Sequence, residues 1–293
     1  MFEFLNETNG YPFFFAGDHT NYINDHIIKN NGLRLYSYVN DLSSIKKRIN
    51  QGLKTFIDSG AFTAMSKGID FDVDKYIEFL NDNSEHFHLF SQYDTIPNDE
   101  INPEESAELT WQNYKYMKSR LKEPHKLLYV YHVDEPLEYL ERILNDEEDV
   151  FYIAIGGLVK KRGNNRKRKI EEIFDIIKSS KRPNINVHAF GLATFSLLEE
   201  YPFTSADSTT WIYFGRLGNL ETSVGRINVS NKLTNEPNHY NKLTETEKIT
   251  VLKEVQNRGY DFSTLEKCYK ERIKYRIDDF IKWSRNYKYI GKY

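Results

Sequence analysis

Short apolar runs recur along most of this chain. Each is stopped by a polar residue or a glycine, and most are followed by a helical segment. The first run is Tyr11 to Gly17, stopped by Asp18-His19, and the second is Leu33 to Val39. The third is Thr55 to Ile57, stopped by Asp58-Ser59-Gly60, and the fourth is Phe87 to Tyr93, stopped by Asp94. Lys126 to Tyr131 ends at His132, and Phe151 to Ile155 ends at Gly156-Gly157. Ile185 to Phe190 ends at Gly191, and Phe203 to Ala206 ends at Asp207. Helical patterns fall between them over Leu42–Gln51, Asp72–Leu80, the stretch after Pro103, Pro136–Leu144, Lys169–Ser179 and Thr194–Glu200. Val73, Tyr76, Ile77 and Leu80, for example, share one helix face. Runs with so few charges suit parallel strands buried on both faces. Eight strands alternating with helices predict an α/β fold, a (β/α)8 TIM barrel. An open doubly wound sheet is the alternative, but no glycine-rich dinucleotide or phosphate-loop fingerprint supports it.

The pattern changes after Gly215. Residues 1–215 are expected to form the barrel, and 216–293 a C-terminal loop and helical extension packed on it. Arg216 to Asn238 reads as loop. Thr244 and Glu247 have capping-box spacing and open a helix that Gly259 stops. A last helix from about Ser263 to Tyr287 interleaves basic and aromatic residues. It reads either as a solvated cap or as a surface that tracks a nucleic-acid backbone. The one cysteine, Cys268, excludes an internal disulfide and any multi-cysteine zinc site. No apolar run approaches the roughly 18 residues of a membrane span, and no signal peptide is visible. A cytoplasmic protein without membrane contact is the expectation.

In a barrel the C-terminal strand ends share one face. That face would gather Asp18, Asp58, Asp94, His132, Gly156, Gly157, Gly191 and Asp207. A metal-dependent hydrolase is one reading. It wants a His-x-His ending the first strand, whereas that position reads Asp18-His19 and the His86-x-His88 pair lies inside the fourth strand, not at its end. Paired carboxylates fit a second chemistry, cleavage at a sugar C1′, where one attacks carbon and another handles the proton on the leaving base. The basic run from Lys160 to Lys169 follows Gly156-Gly157 and so lies on the mouth side. In a chain of net charge −3, that concentration favours a polyanionic partner.

With these residues in place, the chain resembles the tRNA-guanine transglycosylase superfamily. Asp58-Ser59-Gly60-Ala61-Phe62 is similar to its Asp-Ser-Gly-Gly-Phe/Tyr motif. Tyr93-Asp94-Thr95-Ile96-Pro97 is similar to its Phe-Asp-x-x-x-Pro, one residue shorter, and Ile155-Gly156-Gly157-Leu158 to its Gly-Gly-Leu. His188-Ala189-Phe190-Gly191-Leu192 stands where the family has a strand leading to a glycine, and Asp207 where it has its nucleophile. The resemblance runs in order from about Phe13 to Gly215.

The resemblance implies base exchange on a polynucleotide, with Asp207 attacking C1′ and Asp58 as general acid/base. Asp94, His132, Gly156, Gly157, Ser59 and Gly60 would bind the base. Lys160, Lys161, Arg162, Arg166, Lys167 and Arg168 would hold the backbone. No metal and no cofactor is implied. The chain departs from the tRNA enzymes in lacking the cysteines of their zinc site, and His132-Val133-Asp134 replaces their Gln-Gly segment. A compact zinc-free relative looks more like the DpdA-type DNA 7-deazaguanine transglycosylases, including phage-encoded forms. That implies DNA as partner, tRNA as the alternative, a free 7-deazaguanine such as preQ0 as co-substrate, and a monomer. An inactive nucleic-acid-binding barrel is the reading from another class.

Overall fold

The computed structural model describes residues 2, 4–7, 10–17 and 19–287. Eight parallel strands close into a barrel in chain order. They are β1 (Phe13–Ala16), β2 (Leu33–Ser37), β3 (Thr55–Asp58), β4 (Phe87–Ser91), β5 (Leu127–His132), β6 (Tyr152–Gly156), β7 (Asn186–Ala189) and β8 (Ser205–Ser208). A separate antiparallel hairpin pairs β9 (Asn219–Thr222) with β10 (Gly225–Asn228). The helices begin with α1 (Phe4–Glu7), α2 (Asn21–Lys29), α3 (Tyr38–Asn50), α4 (Ala61–Lys67) and α5 (Val73–Asp82). Then come α6 (Pro103–Lys118), α7 (Leu137–Asn145), α8 (Gly163–Ser179), α9 (Phe195–Glu200) and α10 (Thr210–Arg216). The last three are α11 (Glu245–Asn257), α12 (Phe262–Lys267) and α13 (Tyr269–Asn286). The fold is the expected α/β TIM barrel.

The chain forms two compact units. One comprises the described residues up to Ala16 with Leu33–Ser208 and Tyr287; the other comprises Gly17–Gly32 and Thr209–Asn286. The second unit thus groups α2 with the helices and hairpin of the C-terminal stretch.

Alternate residues of the barrel strands point inward and fill the interior. Phe14, Leu35, Phe56, Leu89, Leu128, Val130 and Ala154 form one buried cluster. Truncating a buried Phe such as Phe56 to Ala is expected to destabilise by about 3–5 kcal/mol. Phe4 of α1 packs on Phe14, His88 and Tyr152, near the N-terminal ends of their strands.

Strand registers place the polar strand ends together. Ser37 pairs with Asp58, and His132 with Gly156. Pro103 sits in the first turn of α6, where its missing N–H is harmless, and Asn102 caps that helix.

Several local expectations are corrected. The second strand stops at Ser37, and Tyr38-Val39 start α3, because the Asp41 carboxylate accepts the Ser37 N–H and turns the chain. Helix α8 begins at Gly163, so most of the basic run is helical rather than loop. The stretch read as loop after Gly215 contains the β9–β10 hairpin. Its apolar residues Leu220 and Ile227 face each other and join Val229, Val251, Val255, Leu265 and Tyr275 in the second unit's core.

The last basic-aromatic helix is broken at Cys268. Much of α13's charge is internal. Arg272 donates to the Gly215 carbonyl at 2.8 Å, and Arg276 and Arg258 pair with Asp279 at 2.6 and 2.7 Å. Tyr275 is buried under Arg258, whose guanidinium lies 3.4 Å from the ring centre. These residues hold the unit together, so the backbone-tracking reading of α13 loses its central members. Among the described residues, no helix is long and apolar enough to cross a membrane.

Candidate active site

Asp58 ends β3 and turns immediately into Ser59-Gly60. Gly60 has φ +83°, and a Cβ there would lie 2.5 Å from Ser37 Oγ and 2.9 Å from Val39 Cβ. Only glycine fits both the backbone angle and the space. The Gly60 N–H then donates to Asp58 Oδ2 at 3.0 Å, and the Ser91 hydroxyl donates to Oδ1 at 3.1 Å. Ser91 in turn accepts the Ser59 N–H at 2.9 Å. Burial, then the negative charges of Asp94 and Asp207, push the Asp58 carboxyl up to about 7, against the pull of Ser91 and Gly60. Asp58 ends β3, Asp94 follows β4 and Asp207 lies near the end of β8, so all three carboxylates belong to the C-terminal mouth of the barrel.

Asp94 follows β4 and is buried. Its Oδ2 lies 2.9 Å from Nε2 of His132, and its Oδ1 lies 3.5 Å from the Ser59 hydroxyl. His132 closes β5, and its Nδ1 meets Glu135 Oε1 at 2.8 Å. Glu135 also accepts the His132 N–H at 3.0 Å through Oε2. The result is a buried carboxylate–imidazole–carboxylate row. Burial would lower the His132 pKa, but hydrogen bonds and charge from Asp94 and Glu135 outweigh it and raise it to about 10. The ring is an imidazolium at neutral pH, and both nitrogens are engaged. Neither ring nitrogen of His132 is left free; the ring holds Asp94 in place. Its ring also lies against Gly156, where an added Cβ would sit 2.7 Å from Cδ2. Gly156 is thus a space requirement of His132.

Asp207 lies in β8 rather than just beyond it, and is buried. Its Oδ1 accepts the Gly191 N–H at 2.9 Å and faces His188 Nε2 at 3.3 Å. Among the described residues no hydrogen bond engages Oδ2. His188 is fully buried, and burial lowers its pKa against the pull of Asp207. Glu135, Ser91, His188 and Ser205 are the functional candidates that sequence reasoning missed.

The basic residues are not equivalent. Lys161 pairs with Asp134 at 2.6 Å, Lys167 with Glu200 at 2.5 Å, and Arg168 approaches Glu172 at 3.9 Å. Arg166 donates to the Lys161 carbonyl at 2.8 Å. Lys160 and Arg162 are exposed and form no ion pair among the described residues. Phe62, in the first turn of α4, and Val159, in the short turn after β6, are also exposed.

Ser59 and Gly60 follow Asp58 directly, and Gly157 opens the segment after β6 at the same end of the barrel. Asp18 lies outside the described residues. His88 lies near the opposite end, beside Phe4. Among the described residues, no group of three or more His, Cys, Asp or Glu side chains is arranged to hold a metal ion. No family model matches the chain, and no curated protein matches it at a significant level.

Proposed function

We propose that this chain is a DNA-guanine transglycosylase, replacing guanine in DNA by a 7-deazaguanine base. One observation carries the reading. Asp207, a carboxylate with one oxygen tied down and the other without a hydrogen bond among the described residues, shares a mouth with Asp58, a carboxyl whose proton affinity lies near neutrality. Two carboxyl groups with separated environments are the signature of a nucleophile and its acid/base partner. The ordered motifs around Asp58, Asp94, Gly156-Gly157 and Asp207 support the same assignment.

In the first step Asp207 Oδ2 attacks C1′ of the target nucleotide. The glycosidic bond breaks, its electron pair leaves with guanine, and protonated Asp58 supplies the proton the base needs. The product is a sugar ester of Asp207 and free guanine. The incoming 7-deazaguanine loses its N9 proton to ionised Asp58 and attacks C1′, expelling Asp207. Two displacements give net retention. Asp94, an acceptor-only group when ionised, suits the paired N–H donors of a guanine edge.

The target base must leave the duplex stack to reach a barrel mouth. Lys160 and Arg162 are the cations best placed to meet phosphates. DNA is preferred to tRNA because a chain whose one cysteine is Cys268 cannot build the tRNA enzymes' zinc site.

The test is incorporation of labelled guanine or preQ0 into duplex DNA, single-stranded DNA and tRNA, with Asp207→Ala as control. Label in DNA with wild type alone is the expected result. Exchange retained by Asp207→Ala overturns the assignment, and label in tRNA alone replaces DNA by tRNA.

A further inference from the structure

A column of buried hydrogen bonds rises through the barrel interior and ends on Asp207. Tyr152, the first residue of β6, has its hydroxyl 2.7 Å from Ser205 Oγ, at the start of β8. Ser205 Oγ lies 2.7 Å from His188 Nδ1, and His188 Nε2 lies 3.3 Å from Asp207 Oδ1. Each of Tyr152, Ser205 and His188 is fully buried.

Proton directions follow from chemistry. Oδ1 already accepts the Gly191 N–H, so it is the acceptor for Nε2–H as well. The neutral ring then has its lone pair on Nδ1, which must accept from the Ser205 hydroxyl. Ser205 Oγ is left to accept from Tyr152. The imidazole is also caged by the rings of Phe56 and Phe190, with centroids 4.9 and 4.8 Å away. Its full burial and these ring contacts fix the plane of the imidazole.

Ser205, His188 and Asp207 resemble a hydrolase triad in composition. Ser205 cannot be a nucleophile, because it lies at the buried start of its strand with its oxygen held between two partners.

We infer that His188 is a positioning residue for Asp207, held by Ser205 and Tyr152 as the Nε2–H tautomer so that Oδ1 is occupied and Oδ2 alone faces the sugar. The inference rests on the proposed role of Asp207 and adds what aims that carboxylate. Without the imidazole, the Gly191 N–H would be its one remaining hydrogen bond among the described residues. A misplacement of about 1 Å at a reacting atom slows such a step by roughly 10²-fold.

The test uses the full chain, guanine-containing duplex DNA and no second base, and follows formation of the Asp207–sugar ester. His188→Phe keeps the aromatic volume and removes the donor; it should slow ester formation about 10²-fold and leave DNA affinity unchanged. His188→Gln places an amide N–H near the Nε2 position and should restore most of the rate. Wild-type speed in the Phe variant overturns the inference, as does a Gln variant as slow as Phe. Histidine 15N NMR of the wild type provides a readout independent of activity and of variant folding. The Nε2–H tautomer at His188 is expected, and the Nδ1–H tautomer overturns the inference. If the wild type forms no ester on any polymer, the transglycosylase reading fails, and the tautomer alone decides whether His188 orients Asp207.

Discussion

Asp58→Asn should make the protein more stable above neutral pH while disabling it. The side chain accepts from Gly60 and Ser91 at 3.0 and 3.1 Å, and asparagine can keep both contacts, accepting from Gly60 and donating to Ser91. What it removes is a charge crowded by burial, Asp94 and Asp207. The folded-state pKa is raised from 3.8 to about 7, so between those values the folded state binds a proton that the unfolded state has released. Stability must therefore fall as pH rises from about 4 to 7, and the full penalty is present above pH 7. At about 1.4 kcal/mol per pH unit the penalty is about 4 kcal/mol. Asp58 is partly exposed, so water screens part of it and about 2 kcal/mol is expected. Urea denaturation of both proteins at pH 4, 6 and 8 reads this directly. The curves should coincide near pH 4 and separate in favour of the variant by pH 8. A variant less stable at pH 8, or a difference that does not change with pH, would refute the reasoning. Base exchange by the same variant should fall about 10²- to 10⁴-fold.

Other consequences follow from the same geometry. Gly156→Ala drives a methyl to 2.7 Å from a His132 ring held by two carboxylates, so destabilisation of about 1–3 kcal/mol by urea denaturation is expected. Glu135→Gln removes one of the groups that raise His132. The wild-type imidazolium contributes stability that is full below about pH 6.5 and lost as pH rises through about 10. The variant should lose about 3 kcal/mol at pH 7, and its His132 ring should titrate by NMR below the wild-type value. Lys160→Ser with Arg162→Ser should reduce the slope of log affinity for duplex DNA against log salt by about 2 in fluorescence anisotropy. Lys161→Ser with Lys167→Ser should change it less, because those cations already have carboxylate partners.

The barrel was legible because its strands are buried on both faces. Such strands appear as short uncharged runs, and the residue that stops each run marks the mouth. The β9–β10 hairpin was not legible. Its strands are four residues long and half exposed, and only Leu220 and Ile227 of the facing pairs are apolar. Helix α4 was missed because it starts directly on Gly60, with no capping side chain to announce it. Within the site, the carboxylates at strand ends could be read and their partners could not. Sequence singles out Asp134 beside His132. In the fold, Asp134 turns outward to Lys161, and Glu135 turns inward to hold the ring. Nothing local distinguishes the two acids, since the choice is made by how the chain leaves β5. His188 and Ser205 read as strand residues, and their link to Asp207 exists only because β7 and β8 pair with His188 opposite Ser205.

The most direct test of the account is to trap the covalent intermediate. The 293-residue chain is mixed with guanine-containing duplex DNA without an incoming base, quenched in denaturant, digested and analysed by mass spectrometry. The account predicts a deoxyribose-linked peptide containing Asp207, released guanine in equal amount, and neither from Asp207→Asn. An adduct on another residue, or base exchange proceeding with no adduct, would contradict it.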